Sequence, residues 1–383
     1  MKIYLDYAAT TPVREEVLEA MLPFFKEKFG NPGSINSFGS EAMEAVDNAR
    51  ISIAKILNAK LNEIIFTGSG TESVNLAIKG VARANKQKGK HIITSKIEHP
   101  SVLESCKSLE KEGFEITYLQ PDSEGIISAE KVKSSIRKDT ILVTIMYANN
   151  EIGSINPIKE IGSICKQNKV LFHSDACQAA GSLDINVNSL NVDLLTINGS
   201  KIYAPKGIAL LYVKTGTKIE PIIHGGNQEF GLRSGTENVP GIIAISKALQ
   251  LAKTEEKSEN KRLTDLRDKL IQGIQKAIPK TKLNGSKTNR LPNNINISIP
   301  SIEAETLLLL LDEKGIAAST GSACTTKTLE PSHVLTGLGL KEKEANSSIR
   351  LTLGKYTTES DINTTLNILI KIVADKEKGI KAK

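Results

Sequence analysis

The chain contains no tryptophan, aromatic residues make up only 4% of it, and its four cysteines form no C-x-x-C pair. That last absence excludes zinc ribbons and thioredoxin-like redox centres, which need sulfur atoms at close, fixed spacing. No metal centre intrinsic to the chain is expected. Apolar runs such as Leu307–Leu311 fall far short of the ~20 residues that cross a bilayer, so no membrane association is expected. Met1 opens directly onto Lys2-Ile-Tyr-Leu-Asp6, which reads as a strand, so no signal peptide is expected and the cytoplasm is the default compartment. No motif interleaves aromatic with basic residues, which argues against direct nucleic-acid binding.

What is present is ordinary globular composition. The 383 residues, 39% hydrophobic and 24% charged, suffice for a full core and two domains. Fifty basic against 43 acidic residues leave a net charge of +7, part of it in the terminal Lys376–Lys383. This describes a solvated, lysine-rich surface with a weak preference for an acidic partner protein or tRNA.

Helical and strand patterns alternate through the first two-thirds. Strands are expected at Glu63–Thr67, His91–Ser95, Glu115–Leu119, Ile141–Met146, Val170–Ser174, Val192–Ile197 and Ile208–Val213. Helices are expected at Glu72–Lys86, Pro100–Glu112, Ala129–Ile136 and Ile158–Asn168. This βαβ rhythm predicts an α/β fold, a mainly parallel sheet covered by helices. Val239–Ile278 then reads as one long Lys/Glu-rich helix. Beyond it come strands at Asn294–Ile299 and Ser348–Leu353, with helices at Glu303–Lys314 and from about Glu359 to Asp375, which describe a smaller α+β unit. The expected division is 13–250 for the large domain, and 1–12 with 251–383 for the small one.

The chemistry-bearing residues follow the strands. Asp175 and Gln178 follow Val170–Phe172, and Lys201 follows Val192–Ile197, in Asn198-Gly-Ser200-Lys201. In an open parallel sheet such ends share one crevice. A carboxylate and an amine held there suit pyridoxal phosphate: the lysine holds the cofactor covalently, and the acid keeps its pyridine nitrogen protonated. Gly68-Ser-Gly70-Thr71 opens a helix and offers backbone N–H groups to a phosphate, although a plain cap by Thr71 explains it equally. His99, before Pro100, and Asn149-Asn150 fall at the same edge. Arg350 sits on a strand, where its fork suits a carboxylate or a surface salt bridge. Cys106 and Cys165 read as buried helical residues and Cys177 as a packed side chain. Cys324, in a Gly/Ser/Thr-rich loop of about residues 319–333, reads as an accessible thiol.

The motifs together resemble the pyridoxal-phosphate-dependent cysteine desulfurases of the NifS/IscS-like group, within the class V aminotransferase-like, fold type I enzymes. The resemblance covers nearly the whole chain. It includes Tyr4-Leu-Asp6-Tyr-Ala-Ala-Thr-Thr-Pro12, Thr67-Gly-Ser-Gly-Thr-Glu-Ser73, Asn149-Asn-Glu-Ile-Gly153, His173-Ser-Asp-Ala-Cys-Gln178, Lys201-Ile-Tyr-Ala-Pro-Lys-Gly207, Arg233-Ser-Gly-Thr-Glu-Asn238, Gly321-Ser-Ala-Cys324 and Ser347-Ser-Ile-Arg350.

This resemblance implies a large cofactor domain, a small domain carrying the cysteine loop, and a role for each matched residue. Lys201 would hold the cofactor, Asp175 its pyridine nitrogen and Gln178 its phenolic oxygen. His99 would stack on the ring and assist proton transfer. Gly70, Thr71, Asn198 and Ser200 would hold the phosphate, joined by Thr236 from the other subunit of a homodimer. Asn150 and Arg350 would bind the carboxylate of L-cysteine. Cys324 would receive the sulfur as a persulfide, then pass it to an acceptor such as an iron–sulfur scaffold or a tRNA-thiolation enzyme, with a transient cluster shared at Cys324 as a further option. Asn198 and Ser200 stand where the family carries Ser and His, and Asn36 where a His is common. Other chemistries open to the pattern are a selenocysteine lyase, a transaminase and a non-catalytic scaffold.

Overall fold

The computed structural model describes residues 2–321 and 331–379, so Cys324 lies outside the described residues. The described residues form twelve strands: β1 (Ile3–Tyr4), β2 (Ile64–Thr67), β3 (His91–Ser95), β4 (Glu115–Leu119), β5 (Thr140–Thr144), β6 (Leu171–Asp175), β7 (Leu194–Asn198), β8 (Ala209–Val213), β9 (Lys282–Leu283), β10 (Asn294–Ser298), β11 (Ile316–Ala317) and β12 (Ser348–Thr352). Seven of them make one sheet in the order β2-β8-β7-β6-β5-β3-β4. β8 is antiparallel to both neighbours and the remaining pairings are parallel, so β2 runs in the direction of β7.

Successive side chains of a strand point to opposite faces, and the sheet is divided on that rule. Ile64, Phe66, Leu195, Ile197, Leu210 and Tyr212 join one apolar cluster, while Ile65, Leu194, Leu211 and Val213 join another on the opposite face. Helices cover both faces, and for this reason the strands read as continuous apolar runs.

The helix Ser37–Leu57 was not among the expected elements. Its buried stripe consists largely of small residues, Gly39, Ala42 and Ala49 alongside Val46, Ile53 and Leu57, which weakens the apolar signal that marks a helix. The Asn36 side chain accepts from Gly39 N at 3.0 Å and caps its start. Asn58 ends it in the left-handed conformation.

The helix Val239–Ala277 runs for 39 residues, about 58 Å at 1.5 Å per residue. Its early residues Ile242, Ile245 and Leu249 enter the core of the large sheet. Its later residues Leu263, Leu270 and Ile274 enter a separate core with Ile3, Leu5, Ile297 and Leu351. That second core lies on an antiparallel sheet ordered β12-β10-β9, with β1 paired to β11 in parallel beside it. The N-terminal segment then crosses back, and Thr11 N donates to Ser200 O at 2.9 Å. This return brings residues 6–11 to the C-terminal edge of the large sheet.

Candidate active site

Strands β2, β3, β5, β6 and β7 run the same way, so the turns after them open on one edge. β7 ends at Asn198 and passes into a single helical turn, Gly199–Lys201. From there Lys201 Nζ donates to the carbonyls of Ala8 at 2.8 Å and Ala9 at 2.5 Å. Gln178 Nε2 donates to the same Ala8 carbonyl at 3.0 Å. The lysine after β7 and the glutamine after β6 therefore converge where the N-terminal segment crosses the edge.

Asp175 closes β6 and is buried. Its Oδ1 accepts from Cys177 N at 2.9 Å, which bends the chain toward Gln178. Two residues earlier, His173 lies between the hydroxyls of Thr144 at 2.8 Å and Thr196 at 3.0 Å. Burial pushes its pKa down to about 4, with Asp175 opposing, so this ring is neutral at pH 7.

The helix after β2 starts at Gly70, and Ser69 rather than Thr71 is its cap: Glu72 N donates to Ser69 Oγ at 3.1 Å. A Cβ at Gly70 would stand 3.1 Å from Cys177 Sγ and 3.4 Å from both Cβ and Nδ2 of Asn198. The glycine thus brings a helix N-terminus directly against the turns that carry Asp175 and Lys201. Asn198 Oδ1 accepts from Ser200 N at 3.2 Å and lies 3.3 Å from Ser200 Oγ. A helix start, an amide, a hydroxyl, a carboxylate and a lysine gathered at one sheet edge fit the phosphate, ring nitrogen and aldehyde carbon of pyridoxal phosphate.

His99 caps the helix Pro100–Glu110 through Nδ1, which accepts from Ser101 N at 3.1 Å. That contact leaves the proton of the neutral ring on Nε2. Burial lowers its pKa, Asp175 pulls the other way, and Lys201 and His333 add to the lowering.

On the side of the second core, Arg350 lies on β12 and is 2% exposed. Its Nη2 pairs with Asp6 Oδ1 at 2.7 Å, and because the guanidinium is buried this is not the surface contact that the sequence allowed. Nη1 donates to Asn150 O at 2.9 Å and Gly321 O at 3.4 Å. Nε is buried with no hydrogen-bond partner among the described residues.

Thr236 is exposed, in a loop tied to the helix start at Gly70. Arg233 Nε binds Glu72 Oε1 at 2.8 Å, and Glu72 Oε2 accepts from Gly68 N at 2.9 Å. A buried pair, Arg50 with Glu229 at 2.9 Å, anchors the far side of that loop, where Asn227, Glu229 and Phe230 have positive φ.

The sequence motifs include Asp6 and Arg233 but give a role to neither, and Arg50 and Glu229 fall outside them. Asp6 read as one polar residue in a strand, and nothing local marks a partner 344 positions away. Arg50 falls inside the helix that was not expected. Glu98, beside His99, was also passed over: it is fully buried, accepts from Ser95 Oγ at 2.7 Å, and burial pushes its pKa up to about 8.

Among the described residues no group of three or more His, Cys, Asp or Glu side chains could hold a metal, and no helix is long and apolar enough to cross a membrane. The class-V aminotransferase family model matches residues 3–364. A cysteine desulfurase IscS of Dictyoglomus turgidum is 56% identical over 372 residues, covering 97% of this chain and 94% of that protein. The protein of the same description from Methanosarcina thermophila is 53% identical, covering 97% and 92%. Among solved structures, a NifS-like protein superimposes with a TM-score of 0.92 at 38% identity, covering 98% of this chain and all of the other. A structure described as SspA in complex with cysteine gives 0.81, also at 38% identity, covering 94% and 100%.

Proposed function

The chain belongs to the class-V aminotransferase family, among its cysteine desulfurases, and from that premise we propose how its residues divide the reaction. It is a pyridoxal-phosphate enzyme of fold type I that acts on L-cysteine and transfers the sulfur to an acceptor. When bound, the cofactor withdraws electrons from the α-carbon of the amino acid joined to it.

Lys201 holds the cofactor and, once displaced by substrate, carries the Cα proton on Nζ. Asp175 holds a proton at the pyridine nitrogen, Gln178 meets the phenolic oxygen, and His99 covers the ring with its proton on Nε2. Gly70, Thr71, Asn198 and Ser200 hold the phosphate. The shared contact of Lys201 and Gln178 with Ala8 O is the observation that carries this assignment, because it brings the covalent anchor and the oxygen ligand to one point.

Asn150 and Arg350 receive the substrate carboxylate. The support is Arg350 Nε, a buried donor without a partner among the described residues, since an unmade hydrogen bond of a buried charged group is costly. Cys324 receives the sulfur. The substrate C–S bond breaks, an S–S bond forms to Cys324, and the carbon side takes the proton, so that L-cysteine plus thiol gives L-alanine plus persulfide. Residues 13–250 form the cofactor domain, and 1–12 with 251–383 the small domain.

The active form is a homodimer in which Thr236 of a second copy reaches the phosphate. Leu22, Phe25, Phe29, Ile35 and Phe38 are exposed on a short stretch before and into the helix Ser37–Leu57, an apolar patch that a second copy would cover. The sulfur passes to an iron–sulfur scaffold or a tRNA-thiolation enzyme in the cytoplasm.

One pair of variants tests this reading. Lys201→Ala should abolish the Schiff-base absorbance and the release of alanine. Cys324→Ser should keep the absorbance change on adding L-cysteine but form no persulfide. Sulfur delivery by Cys324→Ser at the wild-type rate would reject the assignment.

A further inference from the structure

Glu151 lies in Asn149-Asn-Glu-Ile-Gly153 and is 2% exposed. Its backbone is fully engaged. Its N–H donates to Asn149 Oδ1 at 2.9 Å, and its carbonyl accepts from the side-chain amides of Asn294 and Asn296, both at 3.2 Å. The preceding carbonyl, of Asn150, accepts from Arg350. The carboxyl group is thus held rigidly, and it points at the two chain ends that flank residues 322–330.

On the downstream side, Ser332 Oγ lies 2.5 Å from Glu151 Oε2. The same Oγ accepts from Val334 N at 3.2 Å and Leu335 N at 3.3 Å, as the cap of the helix His333–Gly337. A hydroxyl has one proton to give, so Ser332 donates it to Glu151. On the upstream side, Gly321 has φ +100°, and a Cβ there would stand 2.8 Å from Glu151 Oε2. Only glycine allows this close approach with that backbone. Gly321 O also accepts from Arg350, and Ser319 pairs through both backbone groups with Arg350. One carboxyl oxygen therefore bonds the downstream root of the segment that carries Cys324 and fills the space where a side chain at the upstream root would stand.

We propose that Glu151 is a positioning residue for sulfur transfer: by holding Ser332 beside Gly321, which Arg350 holds through its carbonyl, it sets where the segment bearing Cys324 ends relative to the substrate. The step it serves is the one written above, cleavage of the substrate C–S bond with formation of the S–S bond at Cys324. The inference rests on the reading of Cys324 as sulfur acceptor. Burial raises the pKa of Glu151, with Ser332 and nearby positive groups opposing. The contact needs only an acceptor oxygen, whichever form the carboxyl takes.

The test separates two events in the pyridoxal-phosphate-loaded full-length enzyme: the absorbance change on mixing with L-cysteine, and single-turnover persulfide formation on Cys324 followed by mass spectrometry. Ser332→Ala and Glu151→Ala should leave the absorbance change within about twofold and slow persulfide formation about tenfold or more, as expected when a reacting group is misplaced by an ångström or less. Glu151→Gln keeps an oxygen for the Ser332 proton and should restore most of the rate. Combining Ser332→Ala with Glu151→Ala should cost no more than the larger single change. Loss of both events together, loss of neither, or failure of Glu151→Gln to rescue overturns the proposal. Cys324→Ser in the same assay keeps the two questions apart: persulfide-like sulfur transfer by that variant defeats the acceptor assignment, whereas a silent Cys324→Ser with an unaffected Ser332→Ala defeats the anchor alone.

Discussion

Asp6 and the buried Arg350 form an ion pair at 2.7 Å, from the N-terminal segment to β12. The carboxylate occupies Nη2, Asn150 O occupies Nη1, and Nε remains buried and unpartnered among the described residues. Asp6 thus aims the guanidinium while partly neutralising it. Asp6→Asn keeps an oxygen for Nη2 but removes the competing negative charge. The expected result is a lower KM for L-cysteine, about two- to fivefold, because the arginine now relies on the substrate carboxylate for its counter-charge. The same change should lower stability by about 1 kcal/mol, because Asp6 is only partly buried and asparagine keeps an acceptor for Nη2. Steady-state kinetics and denaturant unfolding check both, and a raised KM for Asp6→Asn would refute the argument.

Gly70 presses a helix start against Cys177, and a methyl group there would stand 3.1 Å from Sγ, tighter than ordinary contact. Gly70→Ala should weaken cofactor binding about tenfold, because the added carbon must push the Cys177 turn away from the seat. The fold should be kept, since helices favour alanine over glycine. Dialysis against a cofactor-free buffer with absorbance readout measures the loss, alongside far-UV circular dichroism.

His173 predicts acid sensitivity. Its folded pKa of about 4 lies below the ordinary value of 6.5. The unfolded chain therefore binds the extra proton, and stability is complete above pH 6.5 and declines as the pH falls toward 4. Over that window the group contributes roughly 3 kcal/mol. His173→Gln, unable to titrate, should be less stable at pH 7 but should lose less between pH 6.5 and 4 in urea melts. An unchanged slope would refute it.

Glu229→Ala leaves Arg50 buried without its counter-charge and removes an acceptor for Phe66 N. A loss of about 3–5 kcal/mol is expected. Glu229 and Phe230 hold positive φ, and that geometry depends on the same pair. Loosening the loop of Arg233 and Thr236 should therefore also speed cofactor loss. Thermal unfolding with and without added pyridoxal phosphate reads the two effects separately.

Much of this protein can be read from its residues in order. The βαβ rhythm, the positions of β3, β4 and β8, and the long helix after Val239 all follow from local apolar periodicity. The meeting of Asp175, Gln178 and Lys201 at one sheet edge was legible because each lies at or just past the end of a strand, and chain order alone puts them there. The helix Ser37–Leu57 escaped notice because its buried stripe is built largely of glycine and alanine.

The sequence by itself determined the class of fold, the family and the sheet edge at which the candidate site residues gather, since these depend on local pattern and on motifs written in contiguous residues. Only the tertiary structure decided that Asp6 holds Arg350, that Ala8 O gathers Lys201 and Gln178, and that Glu151 holds Ser332 beside Gly321. Those contacts link segments 170 to 344 positions apart, and which distant groups meet is decided by how the sheets and the long helix pack, not by any neighbour along the chain.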